Sequence, residues 1–79
     1  MTIEFKDDTL HCAGVLAVED AEALLALVAG HPAAPVDLSA CEHVHTACLQ
    51  VLMASAASIS AWPGAPELSE WLRAALPQH

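Results

Sequence analysis

The segment from Thr46 to Ala57 is apolar on nearly every side of a helical wheel, and Gln50 is its only strongly polar side chain. A helix of this kind is either buried on both sides or covered by a partner. Thr is a good N-cap, so we expect the helix to begin at Thr46. The segment therefore requires a fold in which other elements enclose this helix.

An amphipathic helix precedes it, over Glu19–Ala29. Acidic residues crowd its first turns, where the helix dipole favours negative charge. Gly30 followed by Pro32 predicts the end of the helix. Apolar residues with the spacing of one helical face predict its buried stripe: Val18, Ala21, Leu24, Leu25 and Val28.

Short alternating or apolar segments fill the rest of the chain. Asp7 and Asp8 are turn residues that close a hairpin. Residues 41–45 form an irregular or extended link to the next helix. A last helix begins at Pro66, which suits its first turn, and is ended by Pro77. The predicted strands are Ile3–Phe5, Thr9–Val15, Pro35–Ser39 and Ser58–Trp62.

The predicted order is β-β-α-β-α-β-α, an α/β arrangement with a small mixed four-stranded sheet and three helices. The terminal βαβ units imply parallel pairing and right-handed crossovers, with the helices mainly on one face. The chain has 79 residues and shows no repeat or linker, so we place one domain over residues 1–79.

Charge and length narrow the classes of function. The chain carries 2 Lys+Arg against 10 Asp+Glu, a formal charge of −8, which argues against binding nucleic acid or an anionic membrane. No apolar stretch reaches the roughly 20 residues of a membrane span, and no secretory signal is visible, which favours the cytoplasm. A chain this short has little room for a deep pocket, so we expect a binding module without a cofactor, not an enzyme.

The run from Val36 to Leu52 reads V-D-L-S-A-C-E-H-V-H-T-A-C-L-Q-V-L. It resembles the STAS domain family, whose signature is roughly V-D-L-S followed by D-[ST]-[SA]-G-L at a helix start. The segments before it also fit, so the resemblance covers nearly the whole chain. Two positions depart from the signature: His45 stands in place of the family Asp, and Cys48 in place of the family Gly.

The family comprises bacterial anti-sigma-factor antagonists and the STAS subunits of lipid-transport ABC systems. The resemblance implies a non-catalytic module of a partner-switching system, with Thr46 in the phosphoacceptor position. The implied partner is a cytoplasmic anti-sigma factor or its serine/threonine kinase. The Thr-Ala pair also matches the lipid-transport branch, where the partner would be the ATPase subunit. The apolar content and short length also favour a homodimer.

The predicted binding surface is the start of the Thr46 helix and the link before it: Glu42, His43, His45, Thr46 and Gln50. The role of Thr46 has two interpretations at this stage. A hydroxyl at a helix start is accessible for phosphorylation, and the added charge can block docking. The same hydroxyl can serve only as a helix cap.

Asp37 is a further candidate, because its carboxylate lies in an apolar strand and needs hydrogen-bond donors if it is buried. Free N–H groups at the start of the Thr46 helix could supply them. The alternative is an ordinary residue near the strand end and close to solvent.

Four side chains of metal-binding types fall close together at Cys41, His43, His45 and Cys48. Zinc takes such ligands, but their spacing is not that of a zinc finger, ribbon or knuckle. A metal or thiol-redox site is therefore the third function class, and we predict no metal. We expect two surface histidines and two buried thiols, with Cys12 buried as well.

Overall fold

A β-hairpin opens the fold in the computed structural model, which describes residues 2–55 and 58–76. Strands β1 (Thr2–Lys6) and β2 (Thr9–Leu16) are antiparallel, and Lys6 pairs with Thr9. Asp7 and Asp8 connect them with φ angles of 53° and 60°. Positive φ at both central residues is characteristic of a type I′ turn, whose twist suits a two-residue hairpin. The predicted turn is confirmed.

The other strands, β3 (Val36–Val44) and β4 (Ile59–Ala61), extend the sheet in the order β1-β2-β3-β4. The β2–β3 and β3–β4 pairs are parallel. The mixed α/β architecture with four strands and three α-helices is confirmed. The helices are α1 (Ala21–Gly30), α2 (Thr46–Ser55) and α3 (Pro66–Ala75), and a 3₁₀ helix (Val18–Asp20) precedes α1.

The core lies on one face of the sheet. Leu10, Cys12 and Leu16 of β2 are buried, whereas Val15 between them is exposed. All three α-helices contribute to the same core cluster, so they pack on this face of the sheet. The remaining buried residues of the cluster are Val36, Leu38, Cys41 and Val44 of β3, the helical Leu24, Val28, Cys48, Leu49, Leu52 and Leu72, and Leu76.

Strand β3 is longer than predicted. Residues 41–44, expected to form an irregular or extended link, continue the strand. They pair with the end of β2, where Gly14 lies opposite Cys41 and Leu16 opposite Val44. Two register shifts interrupt this pairing, and Gly14, with φ 77°, lies at the second. A β-bulge of this kind accommodates positive φ most easily at glycine, so the extra length depends on Gly14.

The predicted buried stripe of α1 is wrong at two positions. Val18 is 55% exposed and Leu25 is 53% exposed, whereas Leu24 and Val28 are buried as expected. Val18 falls in the 3₁₀ helix, whose period of three residues breaks the α-helical stripe. Leu25 lines a groove between α1 and α2. The buried face of α1 is therefore narrower than the apolar pattern indicates.

Helix α2 is covered on one side. Cys48, Leu49 and Leu52 are buried, but Met53 is 46% exposed. The helix is described to Ser55, and the predicted end at Ala57 and the predicted stop at Pro77 lie outside the described residues. The open side of α2 is consistent with the alternative in which a partner covers part of the helix.

The hairpin turn yields the first testable prediction. Asp8→Gly removes the steric cost of a side chain at positive φ and should raise the free energy of unfolding by about 1 kcal/mol. Chemical denaturation followed by circular dichroism measures this. Asp8→Ala is the control, because it removes the same charge but retains a Cβ and has no preference for positive φ. An equal gain from Asp8→Ala would assign the effect to charge and contradict the turn geometry.

Candidate functional site

His45 joins the sheet to helix α2. Its backbone N–H donates to the carbonyl oxygen of Leu16 at 2.7 Å, which continues the hydrogen bonding of β2 with β3 by one residue. Its own carbonyl accepts from the N–H groups of Cys48 at 3.0 Å and Leu49 at 3.1 Å. One residue therefore ends the strand pairing and starts the helix.

The side chain of His45 caps the helix. Its Nδ1 accepts a hydrogen bond from the backbone N–H of Ala47 at 3.0 Å. The prediction that Thr46 is the N-cap is wrong, because Thr46 is already the first helical residue and the capping position belongs to His45.

Thr46 is nevertheless exposed, as are Glu42, His43, His45 and Gln50. The structure places Thr46 and Gln50 one turn apart on α2, while Glu42 and His43 lie at the end of β3. We refer to this predicted group, together with the two valines described next, as the Thr46 surface.

Val15 and Val18 add exposed apolar area at the same end of the sheet. Val15 is 44% exposed and pairs with His43 across β2 and β3. Val18 lies in the 3₁₀ helix, which packs against α2. Neither valine was predicted to belong to the site. The strand alternation that buries Leu10, Cys12 and Leu16 could have placed Val15 on the open face, whereas no local pattern marks Val18 as exposed.

Asp37 lies far from the Thr46 surface. It is near the start of β3, roughly 23 Å from the end of that strand at about 3.3 Å per residue. Its Oδ1 accepts from the Ser39 N–H at 2.8 Å, and its Oδ2 is 3.3 Å from His11 Nδ1. Hydrogen bonds from Ser39, and to a smaller extent the nearby His11, lower the pKa of Asp37.

The prediction that N–H groups at the start of the Thr46 helix donate to Asp37 is therefore wrong. Its donors come from its own strand and from β2, because parallel pairing sets His11 opposite Asp37. The carboxylate is partly exposed, with 22% of its side-chain surface accessible. Asp37 is thus a residue of the open sheet face near solvent.

The three cysteines are free and buried, as predicted. Cys41 Sγ donates to the carbonyl of His43 at 3.5 Å, and Cys48 Sγ donates to the carbonyl of Ala17 at 3.2 Å. Burial raises the pKa of Cys12 to about 12 and also raises the pKa values of Cys41 and Cys48. At neutral pH these side chains are thiols, not the thiolates that act as nucleophiles and metal ligands.

The Cys/His cluster does not converge on one point. Cys41 and Cys48 face the core, while His43 and His45 are exposed. Within residues 2–55 and 58–76, no group of three or more His, Cys, Asp or Glu side chains is arranged to hold a metal ion. The geometry therefore gives no support to a metal or thiol-redox site.

Comparison with known proteins adds no relative from which a function could be transferred. No protein-family model matches the chain, and no curated protein and no solved structure is significantly similar to it. Among the described residues, no helix has the length and apolar character needed to cross a membrane. A function must therefore be inferred from the chain's own surfaces.

The capping geometry yields the second prediction. His45→Ala should lower the free energy of unfolding by about 1 kcal/mol, because the Ala47 N–H loses its acceptor. His45→Asp should retain the stability, since Asp is a strong N-cap and suits the helix dipole. Thr46→Ala should change it by less than about 0.5 kcal/mol. Urea denaturation of the three variants measures these differences. A loss from Thr46→Ala as large as that from His45→Ala would contradict the assignment of the cap.

Proposed function

We propose that the chain is a non-catalytic, STAS-like protein-binding module of a bacterial partner-switching system, and that Thr46 lies at the centre of its binding surface. The supporting observation is the exposed Thr46 at the first position of α2, directly after a parallel strand of a β1-β2-β3-β4 sheet. The proposed partner is a cytoplasmic anti-sigma factor or its serine/threonine kinase.

The composition of the Thr46 surface supports binding of a protein. Val15 and Val18 supply exposed apolar area, and the residues near them are polar or ionisable. Exposed apolar area next to polar side chains is a usual composition of a protein interface. The formal charge of −8 favours a partner whose contacting surface is basic.

The two departures from the STAS signature are compatible with the local geometry. His45, in place of the family Asp, retains an acceptor for a first-turn N–H of α2. Cys48, in place of the family Gly, is buried, and its thiol hydrogen-bonds to Ala17 before the 3₁₀ helix. Both residues therefore support the start of the helix and leave Thr46 exposed.

Phosphorylation of Thr46 would act as a switch. A phosphate adds about −1.5 to −2 charge, which the positive end of the α2 dipole accommodates in the free domain. Desolvation of the same charge on docking would oppose the complex. The module would then bind when Thr46 is unmodified and release its partner when Thr46 is phosphorylated.

The alternative is an accessory subunit that docks on the ATPase of a lipid-transport ABC system. The Thr46-Ala47 pair favours it, because that pair is similar to the sequence of the lipid-transport branch. Both alternatives use the Thr46 surface, so the identity of the captured partner distinguishes them.

The test is a pull-down from the native host with the purified chain, followed by mass spectrometry. Thr46→Glu should reduce recovery of the partner at least about tenfold, because it places a fixed charge in the interface. Its denaturation midpoint should not fall, since a carboxylate at a helix N-terminus is locally favourable.

Ser58→Glu is the matched control. Ser58 is exposed and lies at the opposite end of the sheet, where its carbonyl accepts from the Val36 N–H at 2.7 Å. This variant adds the same charge and should bind as the wild type does. Undiminished binding by Thr46→Glu, or equal loss from both variants, would contradict the proposed surface.

A further inference from the structure

Strand β1 is an edge of the sheet in the part of the chain that the structure describes. Glu4, Phe5 and Lys6 are all exposed, although side chains along a strand alternate between its two faces. Both faces of this stretch are therefore accessible, and within residues 2–55 and 58–76 no other element covers it. An edge strand left open in this way can pair with another strand.

The backbone groups of Phe5 point away from β2. Phe5 lies opposite Leu10, and the Leu10 N–H donates to the Pro35 carbonyl at 2.9 Å, on the side of β3. Opposite residues of an antiparallel pair either bond to each other or both point away, so Phe5 directs its N–H and C=O toward the free edge. Ile3, two residues earlier, does the same, and among the described residues neither has a backbone partner on that side.

Phe5 also presents an apolar ring beside this edge. It is 41% exposed, and it lies on the helix-bearing face of the sheet, because it is opposite the buried Leu10. Its ring stacks on His31, which follows α1, with the ring centroids 3.7 Å apart and the planes 9° apart. The stacking restricts the ring, so less side-chain entropy is lost when a second strand covers it.

Glu4 and Lys6 flank Phe5 and lie on the opposite face of the sheet. When two copies of β1 pair antiparallel with Phe5 opposite Phe5, Glu4 of each copy lies opposite Lys6 of the other. Opposite charges across a strand pair stabilise it, whereas like charges destabilise it. Strand β1 is therefore complementary in charge to a second copy of itself in this register.

The charge pattern also selects between registers and between partners. The register with Ile3 opposite Phe5 also brings free N–H and C=O groups together, but it places Glu4 opposite Glu4. A strand of another protein would have to reproduce the charge order of β1, whereas a second copy supplies it by two-fold symmetry.

We infer that the chain forms a symmetric dimer in which the β1 strands of two copies pair antiparallel about Phe5 and join the two sheets. The two Phe5 rings cover each other on one face, and Glu4 and Lys6 form two ion pairs on the other. The contact is short, so we expect a weak dimer, with a dissociation constant of about 0.1 mM. The dimer shares no residue with the Thr46 surface, which lies at the other end of the sheet, so either inference can fail without the other.

The test measures self-association of the full chain by sedimentation equilibrium and by ¹⁵N NMR. Between about 10 μM and about 1 mM, the wild type should change from monomer to dimer, and the amide signals of Ile3 and Phe5 should shift in parallel. Circular dichroism checks that each variant below is folded.

Charge reversal tests the register. Glu4→Lys sets Lys opposite Lys6 of the second copy, and Lys6→Glu sets Glu opposite Glu4, so each variant alone should weaken the dimer at least about fivefold. The double variant Glu4→Lys, Lys6→Glu exchanges the two charges and should return to within about twofold of the wild type. An equimolar mixture of the two single variants should associate as the wild type does, because every charge then faces its opposite.

Glu70→Lys is the matched control, because it makes the same charge change at an exposed residue of α3, outside β1. It should not weaken the dimer. Since Glu4→Lys and Glu70→Lys both make the net charge less negative, a loss confined to Glu4→Lys would support the contact at β1 over a general effect of charge.

Four results would overturn the inference. The first is a wild type that stays monomeric at about 1 mM, and the second is equal weakening by Glu4→Lys and Glu70→Lys. The third is a set of concentration-dependent shifts confined to amides outside β1, which would assign the dimer to another surface. The fourth is a stronger dimer from Glu4→Gln, which would indicate the register with Ile3 opposite Phe5.

Discussion

The parallel pairing of β2 with β3 is the interaction on which the rest of the structure depends. Leu10, Cys12 and Leu16 on β2 are part of the buried core. The pairing ends in the hydrogen bond from His45 N–H to the Leu16 carbonyl. The orientation of α2 is fixed there, because His45 is both the last residue held by the sheet and the cap of the helix. Shifting the register by one residue would exchange the buried and open faces of β3.

This junction explains how a small acidic domain can present Thr46 at its surface. At the start of α2, the backbone turns away from the sheet, so that Thr46 is exposed while Cys48 packs inward. An apolar groove also lies between α1 and α2, beside Leu25. We propose the Thr46 surface as the site of a switched protein contact.

Much of the architecture could be predicted from the sequence, because periodicity and turn residues are local. The hairpin at Asp7–Asp8, the order of the elements and the burial of the three cysteines were predicted in this way. The predictions that were wrong concern features that depend on pairing between distant segments. The length of β3 depends on a bulge in β2, and the donors of Asp37 come partly from His11 on β2.

The helix cap at the candidate site also could not be predicted from local residue preferences. Residue preferences favour Thr as the cap of a helix, but the hydrogen bond to Leu16 holds His45 at the end of the sheet, directly before the first helical residue, and gives the capping position to His45. Amide hydrogen exchange, followed by NMR, tests this junction most directly. We expect the His45 amide to exchange at least about a hundredfold more slowly than in an unstructured peptide, close to the rate of core strand amides. Exchange at the unstructured rate would show that the sheet does not hold this residue, and would contradict the account.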